Sequence, residues 1–469
     1  MPNFSRSSKN LRVLLIALMA FCLPANARSE SLGDTLAAAY ENSGLIEQNR
    51  ALLRAADEDV AQIVSSLRPI LNWSVDLTRN FSKVSGGTFS SNSANVRLTA
   101  GVSLELLLFD FGQTKLRLDA AKETVLSTRE TLRGIEQQVL LRAATAFFNV
   151  NRNLEFVDLR RNNLRLLQEE LRAARDRFEV GEVTRTDVAQ AQARLAAAQS
   201  GLAEAEGDLT QAVEEFRSAV GRSPGRLNNP RGLPVITGLD AAKSLARRNH
   251  PDILSAQREV AAADFIVMAA EADVKPRVSL DGQIGVFDDL GENSDATNGS
   301  FGVTVTGPIY QGGLLSSAIR QAMSNRDAAR GNLHFVQRNI VQDVGNAYAV
   351  LRAAQASLRA SGEQVRAAEV AFEGVREEAT LGARTTLDVL DAEQELLDAK
   401  ANLISADADV FIAAYQVLTS VGQMTARDLR LNVQLYDPSA YNYLVKDAPV
   451  PISPQGKKLD RVLKALGKD

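Results

Sequence analysis

The chain has 469 residues, of which 45% are hydrophobic, 23% charged and only 5% aromatic. Its 53 basic and 57 acidic residues nearly balance, so no polybasic surface of the kind that binds nucleic acid is expected. One Cys and two His are too few for a Cys/His zinc site. The sequence also has no internal run of about eighteen apolar residues, which a transmembrane helix would need.

The first 27 residues are typical of a cleaved secretory signal, with a positive head, an apolar run from 13 to 23 and an A-x-A motif at 25–27. An uncleaved membrane anchor is the alternative, but the apolar run is too short for one. Cys22 lies inside this segment and follows the bulky Phe21, whereas a lipid-modified Cys needs a small residue before it. The mature protein is therefore expected to contain no Cys.

After the signal, the sequence repeats itself at an offset of 201 residues. The recurring residues are Gly181, Thr184, Asp187 and Leu195 in the first half and Gly382, Thr385, Asp388 and Leu396 in the second. A register kept over so long a stretch predicts two copies of one structural unit. The predicted division is a signal at 1–27, a first repeat at 31–222, a Pro- and Gly-rich linker at 223–237, a second repeat at 238–422, and a C-terminal periplasmic segment with a flexible tail at 423–469.

Each half has the same predicted order of elements. A first helix of about 30 residues ends before Pro69 in one half and before Pro276 in the other. Two segments of alternating apolar and polar residues follow, which predicts strands of about 10 to 13 residues with one apolar face. Hairpin loops are expected near 85–87 and 291–294, where Gly, Ser and Asn are frequent.

The period then changes to seven residues, and Leu118, Val125, Leu132 and Val139 mark the seam of a supercoiling helix. From about 113 to 178 the sequence has no Pro and a single internal Gly, Gly134, so the helix is expected to span this range. At 1.5 Å per residue, this helix would be roughly 100 Å long, too long for a compact domain. A shorter helix is expected from about 186 to 220, after a turn at Gly181, with Gly382 at the corresponding turn of the second half.

Four strands cannot close a membrane barrel, since the smallest barrels have about eight, and lipid does not tolerate the unpaired edges of an open sheet. Three copies with four strands each would give twelve strands around a polar lumen. Aromatic residues near the ends of the apolar bands suit interfacial girdles; they are Phe81, Phe287, Phe109, Phe111 and Tyr310. A soluble β-sandwich and an extracytoplasmic structural coiled coil, with the strands as a trimerisation collar, are the alternatives.

Three segments resemble TolC-like outer-membrane efflux proteins. They are TLGARTTLDVLDAEQELLDAKAN at 380–402, FEVGEVTRTDVAQAQARL from Phe178, and Tyr310-Gln311-Gly312-Gly313 at the joint between strand and helix. The resemblance covers about 31–422. It implies a homotrimer of an α+β membrane protein, with a 12-stranded β-barrel in the outer membrane of a Gram-negative bacterium and a long α-helical coiled-coil tunnel in the periplasm.

The resemblance also implies the function of an exit duct in a tripartite export system. Its partners would be a periplasmic adaptor protein, an inner-membrane ABC or RND transporter, and outer-membrane lipid. Type I protein secretion is the expected use, because the lipid-anchor Cys is missing, and small-molecule efflux is the alternative. No enzymatic activity and no cofactor are expected, since His250 and His334 have no nucleophile at motif spacing and are expected at the surface.

In this family, a ring of acidic residues lines the tunnel end, and the resemblance maps the ring onto Asp388 and Asp391. Because these residues are three apart, they share one helix face. In a trimer, six carboxylates would favour cations, and their crowding would raise some of their pKa values. The simpler interpretation is that both are ordinary acids in the first turns of a helix, favoured by the helix dipole.

Bonds between helix pairs hold the tunnel end shut in this family, and the resemblance maps these gating contacts onto Thr186, Asp187 and Arg384. We expect Arg384 to contact Asp187 or Thr186 across the turn; a solvated surface cation is the alternative. The family's gating Tyr falls at Ala379, so Asp187 lacks that hydroxyl partner. How the gate closes is therefore not explained by the sequence.

Overall fold

The computed structural model describes residues 30–86, 89–230, 232–234, 238–290 and 295–466. The predicted signal at 1–27 and the predicted loop at 291–294 lie outside these residues. The chain divides into two compact units, and each takes segments from both sequence halves. Unit 1 contains the described residues up to Ile46 together with Glu136–Ala246 and Gln342–Leu435, and unit 2 contains Glu47–Ile135, Arg247–Val341 and the residues from Tyr436 onward.

The elements of the first half follow in the predicted order. They are β1 (Glu30–Ser31), α1 (Leu32–Asn42), α2 (Gly44–Ser65), β2 (Ile70–Gly86), β3 (Phe89–Phe109), α3 (Gln113–Glu179) and α4 (Arg185–Val220). The second half and the C-terminal segment contain β4 (Leu227–Asn228), α5 (Leu239–Asn249), α6 (Pro251–Ala272), β5 (Arg277–Leu290), β6 (Asp295–Thr306), α7 (Leu314–Thr380), α8 (Thr386–Ser420), α9 (Pro438–Val445) and α10 (Pro454–Ala465).

The long helices confirm the seven-residue pattern, since α3 and α7 have 67 residues each. The predicted first helix of about 30 residues, in contrast, is wrong in both halves. Ser43 separates α1 from α2 in an extended conformation, and His250 does the same between α5 and α6. At His250 the following Pro disfavours helical backbone, and the His side chain accepts a hydrogen bond of 3.3 Å from Asp252 N. His250 is therefore a buried helix cap and not a surface residue.

Four strands in unit 2 form one antiparallel sheet in the order β2-β3-β5-β6. The first hairpin is longer than predicted, with 17 residues in β2 and 21 in β3. Among the described residues, β2 and β6 each pair on one side only. The sheet of a single chain therefore ends in two open edges.

The register aligns the apolar residues of neighbouring strands on one face. Trp73 pairs with Val102, which pairs with Ile284, and these side chains are 79%, 46% and 61% exposed. Arg97 and Asp289 pair on the opposite face through two hydrogen bonds of 2.8 and 2.9 Å. Phe287 is two residues from Asp289 and therefore lies on the same face, where its ring centroid is 4.7 Å from the Arg97 guanidinium. The prediction that Phe287 belongs to an aromatic girdle on the apolar face is therefore wrong.

Each unit has its own apolar core. In unit 1, Phe148 stacks on Phe411 of α8, with ring centroids 5.0 Å apart, and is 1% exposed. In unit 2, Leu53 and Val60 of α2 pack with Val125 of α3, as the seven-residue pattern predicts. Of the helices described, none is at once long enough and apolar enough to cross a bilayer.

The C-terminal segment packs along α2 within unit 2. Tyr441 donates a 2.7 Å hydrogen bond to Glu58, and Asn442 donates one of the same length to Asp57. The Arg68 guanidinium donates to the carbonyl groups of residues 447 and 448. Leu459 and Leu463 of α10 complete an apolar cluster with α2 and α9. The tail that we expected to be flexible is thus a packed helix as far as its described residues extend.

Candidate functional site

The two predicted turns between helices have the same backbone geometry. Gly181 and Gly382 have φ values of +82° and +77°, a region that residues with a side chain rarely adopt. In the first turn, Gly181 N donates to Phe178 O and Glu182 N to Arg177 O. The second turn has the same two bonds 201 residues later, the first of them from Gly382 N to the carbonyl of Ala379. These bonds satisfy the last carbonyl groups of α3 and α7.

Capping boxes begin both of the helices that follow the turns. Asp187 Oδ2 accepts hydrogen bonds of 2.8 Å from both the backbone N and the hydroxyl of Thr184. Asp388 accepts the equivalent bonds of 2.9 and 2.8 Å from Thr385. Each aspartate thus satisfies backbone groups at the start of its helix. Asp187 also has a hydroxyl partner, although it is the neighbouring Thr184 and not an aromatic residue.

These capping bonds favour the charged state of both aspartates. Backbone and side-chain hydrogen bonds from Thr184 lower the pKa of Asp187, and the equivalent bonds from Thr385 lower the pKa of Asp388. The expected rise of the pKa through crowding is therefore opposed, at Asp388, by the bonds within its own chain. Both carboxylates are charged at neutral pH.

The predicted acidic pair does not act as one group within the chain. Asp391 forms an ion pair with Arg194 of α4, and the Nη2 to Oδ1 distance is 2.5 Å. Arg384 donates from Nε to Glu378 Oε2 at 2.8 Å. The expected contact of Arg384 with Asp187 or Thr186 is thus replaced by a partner on the last turn of α7, which lies closer along the chain. Thr186 is exposed.

A second contact between the halves lies deeper in unit 1. Glu393 of α8 accepts a 2.7 Å hydrogen bond from Asn163 of α3, beside an apolar cluster of Leu167, Ala198 and Leu390. Glu393 is 5% exposed. Burial, and secondarily the nearby Glu170, raise its pKa to about 7. This carboxyl group therefore changes its charge near neutral pH.

Sequence reasoning missed Asn163, Arg194 and Glu393. A signal for Glu393 does exist, because it lies three residues after Leu390 and four before Leu397, both of which are buried. That spacing places an acid on the apolar seam of α8. No comparable signal marks Asn163 or Arg194, since polar residues are common on both of their helices. No cluster of metal-ligating side chains occurs in the part of the chain that the structure describes.

Comparisons with known proteins show what this chain is similar to. The family model of outer membrane efflux proteins matches residues 35–222 and 242–423, one match in each half. The outer membrane efflux protein BepC of Brucella suis is 35% identical over 426 residues, which are 90% of this chain and 91% of BepC. The outer membrane protein TolC of Escherichia coli is 25% identical over 95% of this chain and 92% of its own.

A further relative has a name that states a process. The alkaline protease secretion protein AprF of Pseudomonas aeruginosa is 27% identical over 74% of this chain and 73% of its own length. Among solved structures, the Campylobacter jejuni outer membrane channel CmeC superimposes with a TM-score of 0.74 at 17% identity. The match covers 88% of this chain and 89% of CmeC, so it establishes the fold.

Proposed function

The chain belongs to the outer membrane efflux protein family and is located in the outer membrane, and we propose that three copies of it form one export channel. In this proposal, the strands of the three copies close a single barrel of twelve strands, and the long helices form a tunnel into the periplasm. The internal sequence repeat gives each copy two similar parts of that tunnel.

The single observation that carries this proposal is the sheet of unit 2. Among the residues that the structure describes, nothing covers its apolar face, as the 79% exposure of Trp73 illustrates, and its edge strands β2 and β6 each lack a second neighbour. Lipid is a favourable environment for such a face, but it does not tolerate open edges. Pairing β2 of one copy with β6 of the next removes the edges and keeps the apolar face outside.

Export, and not catalysis, is the activity we propose, in a complex with a periplasmic adaptor and an inner-membrane transporter. Secretion of proteins remains our specific proposal, and the similarity to AprF supports it. Efflux of small molecules is the second candidate, which the name and the higher identity of BepC favour. A strain without the gene distinguishes the two: loss of proteins from the culture medium supports secretion, and increased sensitivity to toxic compounds supports efflux.

At the tunnel end, we propose that Asp388 and Asp391 contribute an acidic ring and that Thr186, Asp187 and Arg384 belong to the gate, with Gly181 and Gly382 at the turns. The capping of Asp388 lowers its pKa and so favours its ionised form, which suits a ring that favours cations. The ion pair with Arg194 reduces the net charge that Asp391 contributes.

Cross-linking tests the shared barrel directly. The one Cys of the sequence, Cys22, lies inside the predicted signal. The strands therefore contain no native thiol that could form disulfides with the introduced ones. We expect cysteines placed in pairs along β2 and β6 to give disulfide-linked trimers in intact cells. Pairs on β3 and β5, which are neighbours within one chain, should give only internal disulfides. If the β2–β6 pairs formed disulfides only within single chains, the shared barrel would be contradicted.

A further inference from the structure

A buried carboxyl group joins α3 to α8 about three helical turns beyond Gly382. Glu393 Oε1 accepts its hydrogen bond from Asn163, whereas Glu393 Oε2 has no hydrogen-bond partner among the described residues. A buried oxygen without a partner is costly when it carries charge. This contact is therefore more favourable with a neutral carboxylic acid than with a carboxylate.

Charged groups from four helices lie near Glu393. They are Arg160 and Glu170 on α3, Arg194 on α4, Arg376 on α7 and Asp391 on α8 itself. The guanidinium group of Arg194 is already bound to Asp391. A small cavity of about 80 Å³ lies beside Glu393 and is lined by both polar and apolar side chains.

Ionisation of Glu393 changes the balance of this contact. In the neutral state, Oε2 carries the proton while Oε1 accepts from Asn163. In the ionised state, a full negative charge is buried near Glu170, and one of the nearby cations, Arg194, is held by Asp391. Leaving the contact lets the carboxylate regain water.

We propose that Glu393 is a proton-dependent latch, a positioning residue that holds α8 against α3 while protonated and releases it when ionised. The latch rests on the proposed channel function, because its release would loosen the helix pairs next to the tunnel end.

The direction of the pH dependence follows from linkage. The pKa of Glu393 in the packed state, about 7, lies above the ordinary value for a Glu, near 4.5. The packed state therefore binds the proton more tightly than a state in which Glu393 is exposed. The latch is complete below about pH 4.5 and weakens as the pH rises through about 7.

Labelling of a buried thiol tests the latch in the full-length protein in detergent. Leu167→Cys places the thiol in the apolar cluster beside Glu393, where Leu167 is 7% exposed. At each pH, the maleimide labelling rate of the Leu167→Cys protein is divided by the rate of a double variant that also carries Glu393→Gln. The glutamine keeps the side chain at position 393 neutral. We expect this ratio to rise roughly thirtyfold between pH 5.5 and pH 8, as the ionised fraction of Glu393 grows from about 3% to about 90%.

Matched variants keep this test decisive. Glu395→Gln, on the exposed face of the same helix, should leave the pH profile of the Leu167→Cys protein unchanged. Asn163→Ala, which removes only the hydrogen-bond donor, should raise labelling already at pH 5.5. A ratio that stays constant from pH 5.5 to 8 would overturn the latch.

Conductance in planar bilayers separates this inference from the proposed function. If labelling depends on pH but the reconstituted protein conducts no ions, the latch stands and the channel does not. If the protein conducts ions but its labelling rate is the same with and without the Glu393→Gln substitution, the proposed channel function is supported and the latch is wrong. With both correct, we expect the open fraction to rise with pH in the unmodified protein and to stay low in Glu393→Gln.

Discussion

The two faces of β2 allow the lipid-facing surface to be tested with adjacent residues. Val75 lies on the apolar face and is 57% exposed, and Ser74 points to the other face because successive strand residues alternate. A Lys on the lipid face of a barrel costs about 2–4 kcal/mol near the bilayer midplane. Three copies would multiply this to about 6–12 kcal/mol per trimer, which is comparable to the stability of many folded proteins. We therefore expect Val75→Lys to prevent stable assembly.

Ser74→Lys is the matched control. Ser74 pairs with Gly101, which pairs with Gly285, so glycine neighbours leave room for the longer side chain on the polar face. We expect its stability to remain within about 0.5 kcal/mol of the unmodified protein, as for most surface changes. Val75→Ala controls for the loss of the valine side chain.

The assay is urea unfolding in lipid vesicles, followed by the fluorescence of Trp73. This residue is the single Trp of the chain and lies on the apolar face, so brominated lipids should quench it in the folded protein. Equal destabilisation by Val75→Lys and Ser74→Lys, or a Trp73 signal that brominated lipids leave unchanged, would refute the assignment of the apolar face to lipid.

Two further predictions concern the tunnel end. The double variant Asp388→Asn with Asp391→Asn should weaken cation selectivity in planar bilayers. Arg194→Gln frees Asp391 from its ion pair and should strengthen cation selectivity. If both variants changed the selectivity in the same direction, the acidic ring would be contradicted. Gly382→Ala should destabilise the protein by about 1–2 kcal/mol, because φ is +77° there, and Gly374→Ala inside α7 should stabilise it by about 0.5–1 kcal/mol, both measured by urea unfolding.

The sequence predicts the long elements of this fold well because their periodic patterns extend over many residues. The seam of Leu118, Val125 and Leu132 predicts a supercoiling helix, and the stretch without Pro from about 113 to 178 gives the extent of α3 to within a residue. The breaks at Ser43 and His250 are harder to predict, because single residues with local hydrogen bonds decide them. The signal at His250 was the following Pro, which disfavours helical backbone in the residue before it.

The candidate site is predicted less completely. Family resemblance leads to residues near the turns, but it does not assign their partners. Asp187 and Asp388 accept hydrogen bonds from the capping threonines at the start of their own helices, and Arg384 binds Glu378 on the preceding helix. The contacts between the halves instead use Arg194 and other residues of different helices, whose pairing depends on helix packing that a single sequence does not reveal.

The hydrogen bonds between α2 and the C-terminal segment also bear on biosynthesis. Asp57, which is completely buried, binds Asn442, a residue 385 positions later in the chain. Such a distant partner becomes available only when translation and translocation are nearly finished. Unit 2 therefore cannot reach its final form in a truncated product, and completion of the last segment becomes a condition for maturation of one of the first helices.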